Sequence, residues 1–301
     1  MILVAGGTGT LGTRLVQLLV RERHTVRVLA RDAAHAPASF EDGVEVVAGN
    51  VRDAEAVARA MAGATSVVSA VTGFGPHGDG SRAIDADGNA DLISAAQAAG
   101  VEHFVLMSVC QAAPDHPIEL FRMKHVAEQA LAASGLARTI VRPTAYMETW
   151  ATLLGAPLLE KGKTRIFGRG QNPINFVSAD DVARLVAHAI TDPAMRGSTV
   201  EIGGPADLTM TQVVETFEAV TGACGRIRHV PVPAMRAMRA LMKPFNRSIS
   251  ELIEAAIVMD TRDMRFEPSF ARRPFLGEPM TTLEQVVRHD YRGALRGGSS
   301  T

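Results

Sequence analysis

A doubly wound α/β fold, in which helices cover both faces of a parallel sheet, is the architecture this sequence predicts. Three observations predict it. Short apolar runs alternate with helical patterns from the first residue, a glycine-rich turn joins the first run to the first helix, and the runs are continuously apolar, as strands buried on both faces are. The chain has 301 residues, 47% of them hydrophobic, which is enough for a large core with a smaller lobe after it.

Ile2–Ala5 reads as the first buried strand, and the helix after the glycines carries Leu11, Leu15, Leu18 and Leu19 at helical spacing. Val26–Ala30, Val44–Ala48, Ser66–Ala70, Phe104–Met107 and Ala137–Val141 are the next strands in order. Helices are expected near residues 53–62, 85–99 and 121–134, with Gly100 and Gly135 placed as C-terminal caps. After Pro143 the texture changes, and residues 151–175, rich in Gly, Lys and Arg, read as an inserted lobe. Phe176–Val177 is a short strand entering a helix at Ala179, and Val200–Ile202 is another strand. Thr209 and Gln212 have capping-box spacing for a helix that ends near Gly222. Pro233–Lys243 is a Met-rich helix with Arg236, Arg239 and Lys243 along one side. It is expected to cover a pocket with its charges in solvent, and contact with a membrane or a partner is the other reading. The tail from Gly297 to Thr301 is expected to be disordered. Residues 1–150 thus form a core, and 151–301 a lobe interleaved with the late strands in a single compact unit.

Composition excludes several classes. The formal net charge is −1, which argues against a general electrostatic nucleic-acid binder. Cys110 and Cys224 are the two cysteines, too few for a disulfide scaffold or a Cys-rich zinc module. No apolar run reaches the roughly 18 residues of a membrane span, and the N-terminus does not read as a cleavable leader. A cytoplasmic protein with a small-molecule substrate, no metal, and neither nucleic acid nor membrane as partner is expected; oligomeric state stays open. His-Glu-x-x-His, Gly-x-Ser-x-Gly and Walker patterns are absent.

The chemistry begins at Gly6-Gly7-Thr8-Gly9-Thr10-Leu11-Gly12. Glycines at 6, 9 and 12 suit a tight turn, close backbone approach to a pyrophosphate, and helix packing on strand. The helix N-terminus that follows offers free N–H groups and partial positive charge to phosphates. At the tip of the second strand, Arg31 offers a guanidinium to a 2′-phosphate, favouring NADP(H) over NAD(H). Asp32, one position on, could instead accept from a ribose hydroxyl.

These residues resemble those of the extended and atypical short-chain dehydrogenases, a Rossmann-type family. Further matches are Gly49-Asn50-Val51-Arg52-Asp53, Ser69-Ala70-Val71-Thr72, the run from Ala99 to Ser108, Lys124 with Glu128, and the run from Thr139 to Pro143. The combination is most similar to the NmrA-like branch, which includes isoflavone-reductase-like enzymes, quinone reductases, triphenylmethane reductases and non-catalytic redox sensors. The resemblance covers residues 1–205 well and the last third only generally. It implies that Gly6, Thr8, Gly9, Thr10, Leu11 and Gly12 hold the pyrophosphate and Arg31 the 2′-phosphate. Asn50 and Val51 would flank the adenine, with Asn50 standing where many relatives have Asp. Ala70, Val71 and Thr72 would line the cofactor. Ser108 and Lys124 would lie near the nicotinamide ribose, with Pro143 to Tyr146 beside the ring.

One departure from the family matters most. Short-chain dehydrogenases usually carry Tyr four residues before Lys, the phenol passing the proton. Here Leu120 stands four before Lys124, and Trp150 and Leu295 stand four after Tyr146 and Tyr291, so the dyad does not occur. Lys124 is the first candidate for the proton, as the resemblance implies. Its bland alternative is a surface i,i+4 pair with Glu128. Tyr146 is the second, with Met147, Trp150 and Phe176, and Met259 further on, as a substrate-binding wall or as ordinary core. His116 and His125 read as structural or solvated, and Cys110 as a small buried thiol. The expected activity is an NADPH-dependent reduction of a small apolar carbonyl, quinone or enone. The competing expectation is an NADP(H)-binding redox sensor without turnover.

Overall fold

A computed structural model of the chain describes residues 1–31, 37, 40, 43–75, 78–267 and 279–292. In chain order the elements begin with β1 (Ile2–Ala5), α1 (Thr10–Arg21), β2 (Val26–Ala30), β3 (Val44–Ala48), α2 (Ala54–Met61) and β4 (Ser66–Ser69). A π-helical turn, Arg82–Gly88, leads into α3 (Asn89–Ala98), followed by β5 (His103–Met107), α4 (Glu119–Ala133) and β6 (Arg138–Pro143). Then come β7 (Ala145–Tyr146), α5 (Met147–Trp150), a second π turn at Ala151–Gly155, and α6 (Ala156–Lys161). The chain continues through β8 (Lys163–Phe167), β9 (Ile174–Val177), α7 (Ala179–Thr191), β10 (Thr199–Ile202), β11 (Asp207–Leu208) and α8 (Met210–Thr221). It closes with β12 (Arg226–Val230), α9 (Val232–Met242), α10 (Arg247–Thr261) and α11 (Leu283–Asp290).

The chain divides into two compact units. The first takes in Met1–Pro143 and Val182–Glu201, the second Thr144–Asp181 and, among the described residues, 202–267 and 279–292. The sequence expectation placed one junction at residue 150 within a single compact unit; the division seen here follows Pro143.

The first unit is built on a seven-stranded sheet in the order β10-β6-β5-β4-β1-β2-β3. Each pairing from β6 to β3 is parallel. The chain winds outward from β1 in both directions, so this is the doubly wound α/β architecture. The apolar runs explain it: Leu3, Val4, Val28, Val67, Val68, Phe104 and Val105 are buried on one face or the other. α1 closes against the sheet through Leu11, Leu15, Val16 and Leu19, each contributing about 2 kcal/mol of burial. Where a helix over 85–99 was expected, the π turn comes first and α3 starts at Asn89. Gly100 and Gly135 do take the left-handed conformation after their helices, at φ 68° and 77°.

The second unit carries a three-stranded sheet, β11-β9-β7, and a two-stranded sheet, β12-β8. Its core gathers Met147, Leu154, Ile166, Phe176, Val213, Phe217, Met259 and Val287. The capping box at Thr209 and Gln212 forms as its spacing predicts, and α8 ends at Gly222.

Candidate functional site

The parallel strands of the first unit all end at the same edge, and the turns after β1 and β4 abut there. A Cβ on Gly6 would meet the Ala70 carbonyl oxygen at 2.7 Å, and Gly6 itself has φ +83°. Gly12 is equally constrained, since a Cβ would lie 2.1 Å from the Gly6 oxygen. Packing therefore explains both glycines. Gly9 is different: its Cβ would touch only the Gly6 oxygen, at an ordinary 3.5 Å. Gly9 is the N-cap of α1, has no side-chain capping bond, and is followed by no acidic residue in the first turn. Thr8, Gly9 and Thr10 are exposed. The helix thus presents the N–H groups of Thr10, Leu11 and Gly12 at an exposed, uncapped end, which suits a diphosphate.

Lys124 projects from α4 toward the loop after β4. Its side chain is only 6% exposed, and Nζ donates to the Val71 carbonyl at 2.9 Å and pairs with Asp85 Oδ1 at 3.0 Å. Asp85 is fully buried on the π turn, and its other oxygen accepts from the Gly73 N–H at 2.9 Å and the Thr72 hydroxyl at 3.5 Å. One turn on, Asn89 donates to the Asp85 carbonyl at 2.9 Å and accepts from the Ser69 hydroxyl at 2.6 Å. Lys124, Asp85, Asn89 and Ser69 therefore fix the backbone from Ser69 to Gly73. Removing one member of such a buried ion pair typically costs about 3–5 kcal/mol, because the other charge is left stranded.

The alternative of a surface pair between Lys124 and Glu128 does not form. Glu128 is buried and takes Arg142 in a two-pronged bond, 2.8 Å from Nε and 2.7 Å from Nη2. The Ser108 hydroxyl donates to the same carboxylate, and Arg142 also reaches Glu201 at 3.4 Å. The Glu128 hydrogen bond holds the Arg142 guanidinium above its usual value. Pro143 is buried, and its carbonyl accepts from the Cys110 N–H at 2.9 Å. The Cys110 thiol is partly buried and donates to the Arg142 carbonyl.

The residues expected at the adenosine end are more exposed. Arg31 stands in solvent at the tip of β2, 3.9 Å from Asp79 Oδ2. Asp32 lies outside the described residues. Asn50 accepts from the Arg52 N–H at 3.1 Å in a local turn, whereas Val51 is buried. Val51 backs onto Gly88, where a Cβ would approach Val51 Cγ2 at 2.7 Å.

In the second unit, Met147 and Phe176 are fully buried in its core, with Trp150 edge-on to Phe176 at 6.3 Å. Met147 and Phe176 are thus packed as core rather than presented as a pocket wall. Tyr146 is half-buried, and its hydroxyl has no hydrogen-bond partner among the described residues. Burial, with the Glu148 charge second, pushes its phenol well above the ordinary range. Glu148 caps α7, accepting from the Ala179 N–H and from Ser178. Sequence reasoning missed Asp85 and Asn89. No local signal singled them out, since Asp87 and Asp91 in the same stretch are likewise polar and four apart.

Known proteins of similar sequence and fold were found. The chain is 32% identical over 242 residues to an NAD(P)H azoreductase from Xenophilus azovorans, covering 80% of each protein. It is 29% identical to the photosystem II assembly factor Ycf39 of Synechocystis sp., covering 98% of this chain and 91% of that one. Among solved structures, the quinone oxidoreductase QOR2 of Escherichia coli, complexed with NADPH, superposes with a TM-score of 0.75 at 24% identity. That match covers 97% of this chain and 100% of the other. The model of the NmrA-like family matches residues 1–285, and the chain belongs to the NmrA-like family.

Proposed function

We propose that the protein is an NADPH-dependent reductase of small apolar carbonyl, quinone or enone compounds. The observation that carries this reading is the exposed, uncapped start of α1, where Gly9 alone among the three motif glycines is not required by packing. The azoreductase relative supports the reaction class. The N–H groups of Thr10, Leu11 and Gly12 would hold the pyrophosphate, with Gly6, Thr8 and Gly9 shaping the turn. Arg31 would leave Asp79 to take a 2′-phosphate, giving NADP(H) preference over NAD(H). Asn50 and Val51 would border the adenine, and Ala70, Val71 and Thr72 the next stretch of the cofactor. Ser108, Lys124 and Pro143 would serve the nicotinamide end. NADPH when bound supplies the hydride, and the acceptor needs one proton besides. Lys124 is assigned to ribose binding through its remaining N–H, and to the proton if its Asp85 contact yields. Substrate selection is assigned to the second unit, where Tyr146 and Trp150 keep partly exposed aromatic surface.

A second reading, binding without turnover, is favoured by one observation. The two candidate proton sources are poorly placed to give one up: Lys124 is tied to Asp85 and Val71, and the Tyr146 phenol is pushed up. The assembly-factor relative is consistent with it. Following NADPH absorbance with a panel of quinones, enones, aldehydes and azo dyes separates the two. Oxidation of NADPH supports the reductase, and tight binding of NADPH with no oxidation across the panel overturns it.

A further inference from the structure

The two-stranded sheet of the second unit carries charge that the described residues do not balance. β8 and β12 run parallel, with Arg226 opposite Lys163 and Arg228 opposite Arg165. Register partners share a face and side chains alternate along each strand, so these four cations stand together. All four are exposed, while Thr164, between the two cations of β8, and Ile166, after them, are buried. Among the described residues none of the four has a carboxylate within ion-pair distance. Like charges directly opposite on paired strands are destabilising, and an anionic partner would relieve that repulsion.

The chain runs from β12 through Pro231 into α9, and the charge bias continues. From Ala219 to Ser250 there is no Asp or Glu, while Arg226, Arg228, Arg236, Arg239, Lys243 and Arg247 all fall within that stretch. Arg239 is paired with Glu254, and Arg247 with Glu251. Arg236 and Lys243 are exposed. Of α9 only Met235 is buried. Leu241 is 68% exposed and Phe245, just past the helix, 80%.

We propose that the β8/β12 face and the Leu241–Phe245 end of α9 dock on an anionic lipid bilayer. Headgroups answer the cations, and the acyl boundary takes the exposed Leu and Phe. A nucleic acid or a soluble polyanion would answer the charges but leave Leu241 and Phe245 in water. No helix among the described residues is long and apolar enough to cross a membrane, so the contact is peripheral. The proposal departs from the expectation of no membrane partner, which rested on the lack of a spanning run.

Co-sedimentation of the full chain with vesicles tests it. The protein should pellet with phosphatidylcholine vesicles that contain phosphatidylglycerol, not with phosphatidylcholine alone, and should be released as salt is raised. Changing Lys163, Arg165, Arg226 and Arg228 to Gln should weaken partition roughly fivefold per cation removed. Leu241→Ser with Phe245→Ser should weaken it further at unchanged charge. Far-ultraviolet circular dichroism and NADPH affinity, which these surface changes should leave intact, show that each variant is folded. Equal pelleting with both vesicles, pelleting with neither, or full binding by the four-Gln variant would overturn the proposal. Binding of polyglutamate without vesicle binding would also overturn it, in favour of an acidic protein partner.

Discussion

The two units handle buried polarity differently. In the first, polar side chains gather where the parallel strands end: Ser69, Asp85, Asn89, Ser108, Lys124 and Glu128 are all buried, and nearly every one is tied to a residue far away in sequence. In the second, buried carboxylates chiefly accept from backbone N–H groups, again of residues far away in sequence. Glu148 caps α7, Asp260 takes the N–H groups of Arg169 and Gly170, and the core between is apolar. A buried polar network is costly unless fully satisfied, and it fixes a geometry in return. The first unit spends that rigidity on the loop after β4 and the edge beside Gly6, which is where the fold class binds its ligands. The second buries the carboxylates Glu148, Asp181, Glu251 and Asp260, while its described basic side chains are exposed or half-buried.

The largest effect is expected where the buried ion pair of the first unit is removed. Lys124→Met strands Asp85 in a buried site, and urea denaturation should show a loss of about 3–5 kcal/mol. Lys124→Met with Asp85→Leu replaces the pair by apolar groups and should recover most of it. A single variant as stable as the parent would mean the pair fixes nothing. The double variant also removes the ammonium from a folded protein, so its NADPH oxidation reports on chemistry rather than on stability.

The glycines come next. Gly12→Ala forces a Cβ to 2.1 Å from a backbone oxygen and should lower the melting temperature sharply or prevent folding. Gly9→Ala meets nothing closer than 3.5 Å and should change stability by less than about 1 kcal/mol. Equal destabilisation by the two would erase the distinction between a packing glycine and a binding glycine.

A smaller effect is expected at the solvent-exposed adenosine end. Arg31→Gln should weaken NADPH binding roughly tenfold to a hundredfold by calorimetry and leave NADH unchanged. Asp79→Asn, which frees Arg31 from an exposed pair, should strengthen NADPH binding by no more than about fivefold. NADH weakened as much as NADPH by Arg31→Gln would remove the 2′-phosphate assignment.

The smallest effect is on pH dependence. Burial, with the Arg196 charge second, lowers the His103 imidazole from 6.5. Below 6.5 the unfolded chain takes up a proton that the folded protein refuses, so stability falls as pH drops through that value and levels off once the folded group titrates. His103→Gln should flatten that decline in thermal melts between neutral pH and pH 5; an unchanged decline would assign it elsewhere.

The first unit was legible because its signals are local. Continuous apolar runs, helical leucine spacing and the glycine turn each act within a few residues, and β1 to β6 lie where those signals put them. The family resemblance singled out Lys124, and its side chain is buried. Its partner was not legible, because Asp85 reaches it only through a π turn that reads as an ordinary helix. Glu128 was paired with the wrong cation for a related reason. Spacing of four on a helix suggests Lys124, whereas Arg142 reaches Glu128 through the pairing of β6 with β5. In the second unit β7 and β11 are two residues long, too short for any period to show, and Phe176 and Met147 could not be told from pocket residues by composition.

The bare start of α1 at Gly9 is proposed to hold the diphosphate of NADPH. Calorimetric titration of NADPH into the parent protein and into Gly9→Ala tests it most directly. Tight one-to-one binding by the parent, weakened more than about tenfold in a variant that melts at the same temperature, is the predicted result. No binding by the parent, or equal affinity in the two, would contradict it.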